Sequence, residues 1–121
     1  MENKKQKYDL EDRTAKFAEQ VIHFVRSIKI DSVNCRLIEQ VVGSSGSIGA
    51  NYCEAIEAES KKDFIHKVSI AKKEIRETKH WLRLIATSNP SHRDNLVILW
   101  KEAGELLLIF SKIIRSSKST V

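Results

Sequence analysis

The sequence predicts an all-α protein, an antiparallel up-down-up-down four-helix bundle, and three observations predict it. Four apolar stripes recur at helical spacing, with no strand-like alternation. Proline occurs once, at Pro90, and glycine four times, too few for a loop-rich or all-β chain. The stripes are joined by short connections, which force neighbouring helices antiparallel. With 121 residues, 41% of them apolar and 31% charged, the chain has the size of one domain, 1–121, with material for both a core and a wet surface.

The first helix is predicted over about 10–28. Asp9 is placed to cap it, and Asp12 in the first turn offsets the helix dipole. Its inward stripe is Thr14, Phe17, Ala18, Val21, Val25 and Ile28. The second helix spans about 33–58, where Leu37, Val41, Ser45, Ile48, Tyr52 and Ala55 keep a 3–4 rhythm. Gly43, Gly46 and Gly49 fall inside it, at a cost of about 3 kcal/mol relative to alanine. A Gly/Ser turn splitting two short helices is the alternative. The continuous helix is preferred because the rhythm does not reset and no proline intervenes. In that reading the small side chains of Gly43, Ser44, Ser47 and Ala50 let a neighbour approach closely.

The third helix covers about 61–87. Ser60-Lys-Lys-Asp63 has the shape of a capping box, and Phe64, Val68, Ala71, Ile75, Thr78, Leu82 and Ile85 step as a bundle seam. Asn89-Pro90 ends it. The fourth covers about 92–115, opening on the box-like Ser91-His-Arg-Asp94, with a seam of Leu96, Leu99, Ala103, Leu106, Phe110 and Ile113. The tail after Arg115 reads as frayed.

The longest apolar runs, 97–100 and 106–110, fall far short of the roughly 20 residues of a membrane span, and no membrane partner is expected. Met-Glu-Asn-Lys-Lys-Gln-Lys is not followed by an apolar stretch, so no secretory signal is expected. Cys35 and Cys53 lie on the second helix about 27 Å apart at helical rise, too far to pair. Two unpaired thiols predict a reducing, cytoplasmic location.

Chemistry is sparse. Glu77-Thr-Lys-His80 is a Glu-x-x-His match, but a di-iron bundle needs a second such motif, and His80 points away from the seam. His23, His66 and His92 have no ligand-like spacing, so no metal is expected. The Gly43–Gly49 stretch lacks the Gly-Lys-Ser/Thr ending and the preceding strand of a phosphate loop. No Ser or Cys can be set beside a His and an acid, which predicts a non-enzyme without cofactor or small-molecule substrate.

Charge is more informative. The net charge is +5, and the third helix alone carries that excess: Lys61, Lys62, Lys67, Lys72, Lys73, Arg76, Lys79 and Arg83 against Asp63, Glu74 and Glu77. The charges are sorted. Lys72, Arg76, Lys79 and Arg83 form one flank; Ile70, Glu74, Glu77 and Trp81 form the other. Like charges at i+3 and i+4 destabilise the isolated helix by about 1 kcal/mol. A negative partner offsets that: either a phosphate backbone, met by the row together with Lys61 and Lys62, or the Glu74–Glu77 edge of an identical copy in a head-to-tail contact. A solvated, mildly frustrated surface is the third possibility. On the fourth helix Ile98, Leu108 and Ile109 fall on the face a monomer would keep wet. With Trp100, Trp81, Glu74 and Glu77 they are the candidate interface between copies.

Asp9-Leu-Glu-Asp-Arg-Thr14, Ser47-Ile-Gly-Ala-Asn-Tyr-Cys-Glu-Ala55, Ser60-Lys-Lys-Asp-Phe-Ile65 and Ala71-Lys-Lys-Glu-Ile-Arg-Glu-Thr78 with Trp81-Leu82 carry a resemblance over nearly the whole chain. They resemble the bacterial four-helix-bundle family encoded within intervening sequences of 23S ribosomal RNA genes, often labelled S23 ribosomal protein. The resemblance implies that 43–50 is helical and that the bundle is a homo-oligomer, a pentameric ring. The family is also similar to the accessory variability determinant of diversity-generating retroelements, a basic pentameric bundle that partners a reverse transcriptase and nucleic acid. The family's recurring Asn51, Glu54 and Glu74 are present. They are read as polar groups partly buried beside the seam, bonding between helices or subunits.

Overall fold

The computed structural model describes residues 9–119. Four helices fill this span: α1 Leu10–Val25, α2 Ser32–Ile56, α3 Lys61–Ser88 and α4 Arg93–Ser119. A single 3-10 turn, Pro90–His92, links α3 to α4. The helices run up, down, up, down. Arg13 near the start of α1 meets Glu102 and Glu105 toward the middle of α4, and Phe24 near the end of α1 meets His92 before α4. Among the described residues no helix is long and apolar enough to cross a membrane. The expectation of no secretory signal, read on Met1–Lys7, and the last two residues of the tail, Thr120 and Val121, lie outside the described residues.

The helix starts follow local chemistry. Asp9 accepts from the Asp12 amide at 3.1 Å, and Ser60 accepts from the Asp63 amide at 3.0 Å. The cap of α2 is Asp31, which accepts from the Asn34 amide at 2.7 Å. The ends depart from the periodic reading. α1 stops at Val25, because the amides of Ser27 and Ile28 bond back three residues and Ser27 Oγ takes the Phe24 carbonyl at 2.6 Å. Ile28 still reaches the core, at 4% exposure. Likewise α2 stops at Ile56, with Glu57 and Ala58 closing a turn.

Ser91-His-Arg-Asp94 is not a capping box. Proline at the first position sets a 3-10 turn that places Ser91 inside it, and α4 opens on Arg93. Nor does α4 fray after Arg115. It continues to Ser119, whose hydroxyl bonds the Ser116 carbonyl at 3.0 Å. The reason lies in the last core step, which is Phe110 to Ile114, a full i+4 advance rather than the i+3 step to Ile113. That step keeps one apolar anchor on the inner face a turn later.

The core is otherwise the predicted one. Phe17, Val21, Val41, Ile48, Val68, Ala71, Ile75, Leu82, Ile85, Leu96, Leu99, Ala103, Leu106 and Phe110 are buried, with Thr14, Ser45 and Thr78 among them. Ala18, Leu37, Tyr52 and Phe64 are only partly covered. α2 passes unbroken through Gly43, Gly46 and Gly49, none of which takes a positive φ. The close approaches are more selective than the small-residue pattern implies. A Cβ at Gly49 would lie 2.9 Å from Thr14 Oγ1 on α1, while one at Gly43 or Gly46 would meet nothing within 4 Å. Gly43 and Ala50 therefore face outward; Ser44 is the inward partner of α3.

Two buried polar contacts join α2 to α3. The Thr78 hydroxyl donates to the Glu74 carbonyl at 2.8 Å and lies 2.8 Å from Ser44 Oγ. At the far end Asn34 and Asn89 exchange amide hydrogen bonds at 3.0 and 2.9 Å. The remaining amide protons go to the Lys29 and Ile85 carbonyls, and Ser88 Oγ donates to Asn34 Oδ1. Every polar atom of the pair is matched, as burial requires.

Candidate functional site

The two flanks of α3 face different neighbours. Lys67 Nζ pairs with Glu54 on α2 at 2.7 Å, which fixes the side carrying Glu74, Glu77 and Trp81 toward α2. Lys79 Nζ lies 4.0 Å over the ring of Trp100 on α4, which fixes Lys72, Arg76, Lys79 and Arg83 toward α4. Lys72 and Lys79 are half-buried, and Arg76 and Arg83 are exposed. Among the described residues none of the four forms an ion pair. Lys61 and Lys62 are exposed at the start of the same helix.

At 100° per residue, the side of α4 that carries Trp100 also carries Arg93, Gly104, Leu108, Arg115 and Lys118, and no acid. Arg93, Arg115 and Lys118 were not among the sequence candidates. A signal existed for the last two: the 3–4 rhythm, carried past Arg115, sets both on this side. The result is a face built from two helices, positive throughout, with Trp100 at 44% and Leu108 at 71% exposure within it. Trp100, expected at an interface between copies, thus sits beside the basic row.

The acidic flank is drier. Burial pushes the Glu74 carboxyl above its ordinary range, and Glu77 adds to the shift. Trp81 packs against the core, with His80 edge-on to its ring at 5.0 Å. Its indole Nε1 is buried and finds no acceptor among the described residues. Asn51 is partly buried but bonds within its own helix, to the Ser47 carbonyl at 2.9 Å. Glu54 is exposed rather than partly buried, with 59% of its side chain open, and it bonds across helices to Lys67. Ile109 is not on the wet face. It packs partly against the core on the side of α4 turned to α1. Ile98, 66% exposed, lines the groove between those two helices.

That groove has a volume of about 740 Å³ and carries both signs of charge: Asp12, Lys16, Lys101 and the cluster of Arg13 with Glu102 and Glu105. Arg13 is held charged by hydrogen bonds to both glutamates. Cys35 and Cys53 are exposed and unpaired. The Cys53 thiol, 3.4 Å from Glu11 Oε2, is pushed up by desolvation and by that carboxylate, away from the nucleophilic thiolate. Among the described residues no three His, Cys, Asp or Glu side chains converge as metal ligands.

The family model for the 23S rRNA-intervening sequence protein matches residues 6–112, which takes in α1, α2, α3 and most of α4. The chain belongs to that family. A crystal structure of a protein of unknown function from the S23 ribosomal protein family of Bacteroides thetaiotaomicron is similar to this chain at 30% identity and a TM-score of 0.77. The match covers 86% of this chain and 96% of that one. No curated protein matches the chain.

Proposed function

We propose that this protein is a non-enzymatic bundle that contacts RNA or DNA weakly through backbone phosphates and assembles with copies of itself. The observation that carries the reading is the row Lys72, Arg76, Lys79 and Arg83, four cations that among the described residues have no ion pair and no acid on their face. Their mutual repulsion is relieved by phosphates, whose counterions are released on binding. Self-association is supported by Ile98 and Leu108, which stay largely exposed on a helix apolar around most of its girth.

The test is binding of a labelled RNA at about 50 mM salt, followed as salt is raised. Binding is expected to weaken steeply, and changing all four cations to glutamine should flatten the slope and lower the affinity. No binding at that salt removes the nucleic-acid role.

A second reading has its own observation, the partly dried carboxyl of Glu74 beside Glu77. If that edge receives the basic row of a neighbouring copy, the protein is a scaffold whose charges are spent on itself. Arg76→Glu would then dissociate the assembly, and Glu77→Arg would restore it. Normal sedimentation of both single variants refutes this.

A further inference from the structure

The phosphate reading leaves Trp100 unexplained. A row of cations needs no indole beside it, and a 44% exposed tryptophan is an expensive thing to leave in water. Trp100 is also held to the row: Lys79 Nζ sits over its ring at 4.0 Å, so one cation and one aromatic surface are fixed together. Gly104 follows one turn on. A Cβ there would touch only Lys79 Nζ, at an ordinary 3.6 Å, so packing does not demand glycine. Mid-helix glycine nonetheless costs about 1 kcal/mol against alanine. What its missing side chain leaves is room beside the ring that the Lys79 ammonium alone occupies, with exposed Leu108 one turn further on.

A polar backbone and an unstacked base need these two things side by side. In a duplex the base faces are occupied by their neighbours, and only phosphates and groove edges reach a protein. In a single strand the bases can turn out and stack on an aromatic ring while the phosphates follow the cations. The four cations span about 16 Å of helix, the rise of about five stacked nucleotides. We infer that the α3–α4 face binds single-stranded nucleic acid: the Lys79 ammonium leaves the Trp100 ring for a phosphate, a base stacks on the ring in its place beside Gly104, and the flanking phosphates lie on Lys72, Arg76 and Arg83. The inference rests on the phosphate reading above and narrows it to unpaired strands.

The experiment compares an unstructured oligo(U) and oligo(dT) with a fully paired hairpin carrying the same number of phosphates, by anisotropy and by tryptophan fluorescence. The single strands are expected to bind more tightly than the hairpin and to quench the fluorescence. Trp100→Leu should weaken single-strand binding about tenfold and abolish the quenching while the salt dependence stays, and Trp100→Phe should restore much of the loss. Gly104→Met, whose side chain takes the room beside the ring and crowds the Lys79 ammonium, should act like Trp100→Leu.

Single-strand affinity unchanged in Trp100→Leu overturns the inference and leaves the phosphate reading standing, as does a hairpin bound equally well. A lower sedimentation mass for Trp100→Leu means that a second copy covers the ring, and overturns it too. No binding of any of the three probes at about 50 mM salt removes both.

Discussion

Between α2 and α3 the helices are pinned by polar contacts sealed from water: Asn34 with Asn89 at one end and Ser44 with Thr78 further along. Between α1 and α4 the link is Arg13 with Glu102 and Glu105, at a surface a third open to solvent, beside a groove of about 740 Å³. The first kind of contact is lost at full cost because its partners cannot turn to water. The second is screened and replaceable. The bundle is therefore rigid where it carries the sorted charges and loose along the opposite seam.

The harshest way to break that contrast is at the buried amides. Asn34→Ala strands the Asn89 side chain and the Lys29 carbonyl, and should cost about 3 kcal/mol in urea unfolding. A loss under about 1 kcal/mol would mean that the pair is not sealed. Next is Gly49→Ala. Its Cβ would meet Thr14 Oγ1 at 2.9 Å, with Thr14 Cβ at 3.4 Å close behind, so α1 must move off α2 at a cost of about 1–2 kcal/mol. Gly43→Ala, with open space around it, should instead gain up to about 1 kcal/mol. Equal signs for the two glycines would show that helix propensity, not proximity, governs α2.

Arg13→Gln tests the loose seam. It should cost about 1 kcal/mol at low salt and less at high salt, whereas Asn34→Ala should not respond to salt. Smallest is Glu74→Gln. The folded carboxyl is raised above its ordinary value, so the native state holds more protons than the unfolded chain, and stability falls as pH rises through that window. The amide should slightly raise the melting temperature near pH 7, and the gain should vanish below the ordinary carboxylate range. A melting temperature lowered at pH 7 would mean that Glu74 is ionised and well partnered.

What the sequence made legible was whatever repeats along one helix. The stripes, the passage of α2 through its glycines and the sorting of charge on α3 follow from 100° per residue, and the caps at Asp9 and Ser60 from side chains within reach of the next amides. What stayed hidden depends on which helix lies alongside. Asn34 and Asn89 are 55 positions apart, and Arg13 and Glu102 are 89 apart, with no local mark on any of them. Trp100 reads as one more apolar residue in a greasy run until α3 brings Lys79 over it. The assignment of Ile109 to the wet face failed because the side of α4 it occupies is covered by a neighbouring helix, and at the end of the stripe Ile113 packs only partly against the core while Ile114, about 100° further round, is buried.

The matched amides of Asn34 and Asn89 also act as an index mark. Hydrocarbon seams tolerate sliding, since a helix shifted by one turn, about 5.4 Å, still offers leucines and isoleucines to its neighbour. Two complementary amides do not: any such slip would abandon both in oil. They thereby clock α3 against α2 to a single setting, and every molecule that folds turns the same four cations toward the same indole.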